Sequence, residues 1–232
     1  MFADDWRQTF MDRNRQKSPD QTAWMNILLI IINMLVFAAG TAAAGTGKDP
    51  GIWNRGGALY APLIVTGREL YRLITSVFLH ADLSHLFNNM VVLFAGGGIV
   101  ERNMGHIRYG IFYLLCGIGG NIVSVVSDCI SGQYGFSIGA SGAVFGVIGA
   151  LVCMILREYL GQRRDPDVPY RSRIIYQNLL VRAAVMTVFL LYSGWRNPVV
   201  NQAAHAGGIM VGYLLAIIFM SDRQPDLHEL MS

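Results

Sequence analysis

One serine stands in a setting that could make it a nucleophile. Ser141 lies in a Gly-Ala-Ser-Gly segment, residues 139–142, at the start of an apolar stretch. Flanking glycines allow close approach to the hydroxyl and the backbone, and unpaired amides at a helix N-terminus can receive a developing oxyanion. The same residues suit helix packing, because small residues mediate helix contacts in membranes and Gly142 with Gly146 forms a GxxxG pair. Alone, the cluster favours packing.

A possible base and a pair of hydrogen-bond donors lie in two other apolar stretches. His205 precedes Gly208 and Gly212 at spacings i, i+3 and i+7, so all three share one helical face that permits a close neighbour. His85 and Asn89 are four residues apart and share a face of another helix. Polar groups inside membrane spans are costly, so each needs a reason.

Structural alternatives exist for these groups. The histidine in the last stretch could bond a backbone carbonyl, and the donor pair could join two helices. A metal site with His80 is disfavoured because Asp82 is the only acid nearby. A serine needs a base to become nucleophilic at neutral pH, and no Asp or Glu lies within the apolar stretches to orient that base. The combination therefore predicts a dyad of Ser141 and His205.

The composition predicts that a membrane positions these residues. Of 232 residues, 53% are hydrophobic and 14% are charged, against about 25% charged in soluble domains. A helix needs roughly 20 apolar residues to cross a bilayer. Five spans are expected at about 23–43, 83–100, 109–127, 141–156 and 199–220, and a weaker one begins near Ile174 or Tyr176.

Six spans place both termini on one side of the membrane. Basic residues are concentrated before span one, between spans two and three, between spans four and five, and after span six. The positive-inside rule therefore predicts cytoplasmic termini. We expect one six-span domain over residues 22–221 with short cytoplasmic tails at 1–21 and 222–232. Small residues at 41–44 could also imitate a signal-peptide cleavage site, which would leave five spans.

Three further features bear on the surroundings and partners of the chain. The broken but apolar loop from about 45 to 76 is expected to lie in the outer headgroup region. The basic residues form no stripe, so no nucleic-acid partner is expected. Cys116, Cys129 and Cys153 show no disulfide or metal spacing and are interpreted as small packing residues. No metal or cofactor is expected.

In combination and in order, these motifs resemble the rhomboid family of intramembrane serine proteases over about residues 24–220. Two positions depart from the family pattern within its motifs: Tyr71 replaces a first-loop tryptophan, and Phe145 stands where many relatives have tyrosine. Asn88 stands where an aromatic residue is common, which could alter substrate access. The resembling residues are Gly139, Ser141 and Gly142; His205, Gly208 and Gly212; His80, His85 and Asn89; Glu69, Tyr71 and Arg72; and Gly97, Glu101 and Arg102.

The resemblance implies an all-α six-transmembrane-helix bundle around a water-filled cavity open to the outer face. It also implies an oxyanion site made by His85, Asn89 and the Ser141 amide. The expected partners are the lipid bilayer and transmembrane-helix substrates, and the oligomeric state stays open. A compact form without added domains is typical of bacterial plasma-membrane members. The supporting roles expected are Gly139 and Gly142 in the nucleophile turn, Phe145 against the His205 ring, Gly208 in helix approach, and His80 at the first loop or a cavity water.

Two other functions remain open from the sequence. A non-proteolytic rhomboid-like protein that binds membrane clients is the main alternative, although such relatives usually lack the serine or the histidine. A channel lined by the polar groups would need ionisable residues across the whole bilayer, whereas these groups cluster in the outer half.

Overall fold

The computed structural model describes residues 22–43, 56–164, 170–195 and 201–220, and within them the backbone is almost entirely helical. The expected all-α membrane fold is therefore confirmed. The tails expected at 1–21 and 222–232, and residues 44–55 of the first loop, lie outside the described residues. The helices are α1 (Trp24–Ala43), α2 (Ala61–Val65), α3 (Arg72–Thr75), α4 (Leu83–Val92), α5 (Gly98–Met104), α6 (His106–Ser131), α7 (Ser141–Arg164), α8 (Tyr170–Trp195) and α9 (Gln202–Phe219).

Five helical segments of the described chain are long and apolar enough to cross a membrane, which makes this an integral multi-pass protein. In α8 the apolar run found among the described residues is shorter, Ile174–Val185. The helix has 26 residues, or about 39 Å at 1.5 Å per residue, so its length suffices for a sixth crossing. That crossing stays a prediction. The five segments are Trp24–Ala42, Leu83–Met104, His106–Ser131, Ser141–Arg163 and Gln202–Phe219.

Several helices extend beyond the charges that were expected to end them. α7 continues past Arg157 to Arg164, and α5 continues past Glu101 to Met104. Charged residues bound the part of a helix inside hydrocarbon, but backbone hydrogen bonding continues beyond it. Arg157 also has a partner at this end, because its Nη1 donates to the Met220 carbonyl at 2.6 Å and so caps the end of α9.

A π-helical segment, Leu93–Gly97, joins α4 to α5 and is bound by α1. Asn26 of α1 donates from Nδ2 to the Leu93 carbonyl at 3.0 Å, and the Tyr109 hydroxyl donates to Asn26 Oδ1 at 2.7 Å. The wider π turn disturbs the regular ladder of backbone bonds, and the amide satisfies one carbonyl there. These buried contacts pack α1 against the rest of the bundle.

Four glycines form a seam between α7 and α9, which make the most extensive contact of any pair of described helices. A Cβ on Gly208 would meet the carbonyl oxygen of Gly142, and one on Gly212 would meet that of Gly146. The two helices run parallel, because both sequence positions increase together along the seam. Backbone therefore packs directly on backbone, as small residues allow in membranes.

The first loop is anchored by a buried arginine. Arg72 donates from Nη1 to the Ala58 carbonyl at 2.7 Å and pairs through Nε with Glu69. Hydrogen bonds from Arg72 and Tyr71 lower the pKa of the Glu69 carboxyl. Tyr71 itself is half exposed. In the described part of the loop, four large apolar side chains are exposed: Val65, Leu70, Tyr71 and Ile74.

Of the three cysteines, Cys116 and Cys153 are buried and Cys129 is exposed. The first two pack as predicted. The expectation of a packing role is wrong for Cys129, which faces outward near the end of α6.

Candidate active site

Ser141 begins α7 directly after a turn that only glycine suits. Gly139 has φ +137°, in a region that L residues rarely adopt. A Cβ there would also lie 2.7–2.8 Å from the ring of His85, and 3.7 Å from Ser141 Oγ. The missing side chain thus lets the His85 imidazole approach the backbone that precedes the serine.

Three residues outside α7 hold this nucleophile turn, defined as residues 137–141. Ser137 and Leu59 exchange backbone hydrogen bonds at 2.8 and 3.0 Å, which joins the turn to the first loop. The Gly139 amide donates to the Ser76 carbonyl at 2.9 Å. The Ala140 amide points to His80 Nε2 at 3.5 Å, a long contact. The backbone before Ser141 is therefore positioned from outside its own helix.

His205 lies in the first turn of α9, at the same end of the bundle as Ser141. Its ring stacks on Phe145 with centroids 4.1 Å apart and planes 12° apart. The ring is 8% exposed, and its buried Nδ1 has no hydrogen-bond partner among the described residues. The Phe145 contact fixes the plane of the imidazole and leaves its edge nitrogens for other use.

The two proposed dyad residues are brought together by the glycine seam. Gly142 follows Ser141 in α7 and contacts Gly208, one turn after His205 in α9. Within the described residues, no hydrogen bond joins the Ser141 hydroxyl to the His205 ring. Contacts of this kind are often long in a ligand-free enzyme and tighten when substrate binds.

His85 and Asn89 lie in the first turns of α4, on the side facing the nucleophile turn. Asp82 caps this helix by accepting the His85 backbone N–H at 2.8 Å. Buried Asn89 donates from Nδ2 to the His85 carbonyl at 3.0 Å. An amide NH₂ group carries two protons, so one donor remains for a ligand.

His80 is fully buried beside these groups. Its ring meets the His85 ring edge-on, with centroids 5.2 Å apart. Burial, and to a smaller degree the neighbouring His85, lowers the pKa of His80. A neutral ring can accept the Ala140 N–H, so the geometry places His80 against the nucleophile turn rather than against the first loop alone.

A family model described as the Rhomboid domain matches residues 67–222, which is more than half of the chain. This chain belongs to the rhomboid family. The match covers every site residue described above except the loop partner Leu59, and α1 lies outside it.

Named relatives of this rhomboid come from several organisms. RHOMBOID-like protein 6, mitochondrial, of Arabidopsis thaliana is 33% identical over 175 residues, 75% of this chain and 51% of the relative. Putative rhomboid protease YdcA of Bacillus subtilis (strain 168) is 29% identical over 160 residues, 69% of this chain and 72% of the relative. Rhomboid-like protease 1 of Toxoplasma gondii is 29% identical over 163 residues, 70% of this chain and 51% of the relative.

The chain spans about half the length of the first plant relative that it matches, and less of some others. Several further relatives also come from Arabidopsis thaliana, and the names of two Arabidopsis relatives refer to mitochondria or chloroplasts. These relatives do not support the expectation of a bacterial plasma membrane. The multi-pass membrane assignment does not depend on it.

One side chain at this rhomboid site, Asn201, was not predicted from the sequence. Asn201 donates from Nδ2 to Ser124 Oγ at 2.6 Å and to Ser137 Oγ at 2.9 Å, and its Oδ1 accepts the Ala204 N–H at 3.0 Å. Its capping contact to Ala204 could have been predicted, because an asparagine directly before an apolar helical run is typical of a helix N-cap. The contacts to the two serines had no sequence signal.

Proposed function

We propose that this rhomboid is an intramembrane serine endopeptidase that uses Ser141 as nucleophile and His205 as general base. The observation that carries the proposal is the placement of both residues at one end of two helices in backbone contact, with His85 against the turn before the serine. Two of the relatives are named as proteases, one of them putatively. No cofactor enters the proposed reaction.

In the first step, His205 Nε2 takes the proton of the Ser141 hydroxyl while Oγ attacks the substrate carbonyl carbon. The carbonyl π bond breaks, and its electron pair goes to the oxygen. This requires the neutral tautomer with the proton on Nδ1. The imidazolium then gives the Nε2 proton to the leaving amine as the C–N bond breaks, which leaves an acyl-enzyme.

The negative oxygen needs donors aimed at it. We assign this role to the His85 ring, the free N–H of Asn89 and the Ser141 backbone amide at the start of α7. Donors that are already oriented need not reorganise as the charge develops, and losing one typically lowers the rate about 100- to 1000-fold. Water then attacks the acyl carbon, with His205 as base, and restores the serine.

Five other residues support this arrangement. Gly139 and Gly142 shape the nucleophile turn, and Gly208 allows the close approach of α9. Phe145 holds the plane of the His205 ring. We assign His80 to the turn as acceptor of the Ala140 N–H.

The substrate we propose is a transmembrane helix of another protein, cut near the outer face. A helix hides its carbonyls, so the cleaved segment must unwind locally, and glycine or proline nearby assists this. The positive-inside rule places both termini in the cytoplasm, with α8 as the sixth span. On this topology the site end of the bundle faces outward.

A fluorophosphonate probe tests the proposal directly. The purified protein in detergent is expected to label, and both Ser141→Ala and His205→Ala are expected to remove labelling without loss of the folded state, judged by thermal unfolding. A folded wild-type protein that neither labels nor cleaves a transmembrane substrate would overturn the protease assignment and favour the client-binding alternative. Retained labelling in Ser141→Ala would place the nucleophile elsewhere.

A further inference from the structure

Asn201 contacts three separate elements of the site with one side chain. Its Oδ1 caps α9 by accepting the Ala204 N–H at 3.0 Å. Its Nδ2 donates to Ser124 of α6 at 2.6 Å and to Ser137 of the nucleophile turn at 2.9 Å. Both polar atoms of the side chain are thus engaged in three hydrogen bonds, and both amide protons have acceptors.

The contact to Ser137 reaches the nucleophile. Ser137 precedes Ser141 by four residues, and its backbone is already fixed by two hydrogen bonds to Leu59. Only Ile138, Gly139 and Ala140 separate it from the serine. A displacement of Ser137 would therefore also displace Ser141, because the three residues between them form a short segment that backbone hydrogen bonds hold in place.

The contact on the other side reaches the base. The Asn201 backbone carbonyl accepts the His205 N–H at 3.2 Å, which is the first hydrogen bond of α9. The Asn201 cap therefore sets where the first turn of α9 begins, and His205 lies in that turn. Phe145 fixes the plane of the ring but not its height along the helix axis.

Ser124 of α6 is a buried anchor for both the nucleophile turn and the first turn of α9. It is fully buried in α6, whose packed centre includes the fully buried Tyr109, Phe112 and Tyr113. α6 also touches α9 directly, because a Cβ on Gly120 would lie 2.7 Å from the Ala204 carbonyl oxygen. The amide is therefore bonded to an element that neither the nucleophile turn nor α9 can easily displace.

We propose that Asn201 is a positioning residue that sets the separation of Ser141 and His205 by joining the nucleophile turn, the first turn of α9 and α6. The inference rests on the proposed protease function. Helix capping alone does not account for the residue, because a cap uses only Oδ1 and serine caps a helix about as well as asparagine. The two Nδ2 contacts are additional.

Two substitutions separate the cap from the connections. Asn201→Ser keeps a capping oxygen but is too short to reach both partner hydroxyls. Asn201→Asp keeps the cap and offers oxygens to which Ser124 and Ser137 can donate in the reverse sense. We expect Asn201→Ser to lower kcat for a transmembrane substrate about 10- to 100-fold with little change in KM, since about 1 Å of misplacement can cost 100-fold.

Asn201→Asp is expected to recover most of that loss. Fluorophosphonate labelling rates should follow the same order, with similar Tm values for wild type and both variants. Ser137→Ala should reproduce a large part of the Asn201→Ser defect, and the double variant should be little worse than either single one. Ser131→Ala, an exposed serine at the end of α6, is the matched control and should be unchanged.

Two results would overturn the inference while leaving the protease assignment intact. One is an Asn201→Ser variant with wild-type kcat and wild-type labelling. The other is a variant whose Tm falls but whose kcat per folded molecule is unchanged, which indicates a cap only. If Asn201→Ser fails to fold, Ser137→Ala decides by the same two criteria. A folded wild type that neither labels nor cleaves would instead overturn the proposed function, and this inference with it.

Discussion

Two polar clusters lie at opposite ends of the bundle, and they differ in how fully their polar groups are hydrogen-bonded. The cluster at the far end from Ser141 centres on Glu101, which is fully buried. It accepts the amides of Met25 and Asn26 at 2.9 and 2.7 Å and also pairs with His106. The carboxylate thus caps α1 at the helix end where a negative charge is favourable.

The site-end cluster leaves hydrogen-bonding capacity unused. Among the described residues, His205 Nδ1 has no partner, and the contact from Ala140 to His80 is long at 3.5 Å. Buried polar groups are normally satisfied, because an unsatisfied one costs about 1–3 kcal/mol. The difference indicates that the far end stabilises the bundle, whereas the site end keeps unused donors and acceptors, as the proposed protease function requires. Four measurements would sharpen or break this contrast.

The largest expected effect comes from exchanging one histidine at each end for alanine. His85→Ala should lower the cleavage rate about 100- to 1000-fold with a small change in Tm, because an oxyanion donor is lost. His106→Ala removes the partner of Glu101 and the ring against Trp24, so it should lower Tm while the rate per folded molecule stays within about twofold of wild type. Equal losses of cleavage rate in the two variants would contradict the division into a stabilising end and a catalytic end.

Removing the negative charge at the far end should act on stability alone. In Glu101→Gln one oxygen becomes an NH₂ group that cannot accept from Met25 or Asn26. We expect a loss of about 2–4 kcal/mol of unfolding free energy, since hydrogen bonds to charged groups are the stronger ones. Thermal unfolding in detergent measures the loss, with fluorophosphonate labelling per folded molecule as the companion measurement. A variant that unfolds like wild type would contradict the stabilising role of the cluster.

The glycine seam packs α7 against α9 beside the site, so damage there should lower both stability and the cleavage rate. A Cβ at position 212 has no room, because it falls on the Gly146 carbonyl oxygen. Gly212→Ala is expected to lower Tm, with a cost of about 1–3 kcal/mol from overpacking, and to slow cleavage several-fold. Gly161→Ala, in open space on α7, should keep the wild-type rate and Tm. Indistinguishable effects of the two changes would mean that the helices do not pack through these positions.

The smallest effect is expected from acid. His80 has a lowered pKa when folded, because of burial and the nearby His85, whereas in an unfolded chain it titrates near about 6.5. Below that pH the unfolded state binds a proton that the folded state does not, so stability should fall as the pH drops from about 6.5. In His80→Gln the Tm should decline less between pH 6.5 and 5 than in wild type. An unchanged Tm–pH slope would count against a neutral, buried His80.

Much of the helical fold could be predicted because apolar length and charge carry the signal. The five spans found were expected from stretches such as the one before Asp128, although the helices extend past their bounding charges. α8 was less predictable, since Arg182 interrupts its apolar run. The partners of Asn201 were not predictable at all, because Ser124 and Ser137 are brought to it only by the packing of α6, α7 and α9. Glu101 looked like a boundary charge, and only its burial reveals a cap.

The parallel run of α7 and α9 has a consequence for how the protein responds to lipid. Helices adapt to a bilayer that is thinner or thicker than their apolar length mainly by tilting. Two helices in backbone contact along Gly142–Gly208 and Gly146–Gly212 cannot tilt separately without opening that contact. They should tilt as one unit, so bilayer thickness would change the depth of Ser141 and His205 in the membrane while leaving the distance between them unchanged.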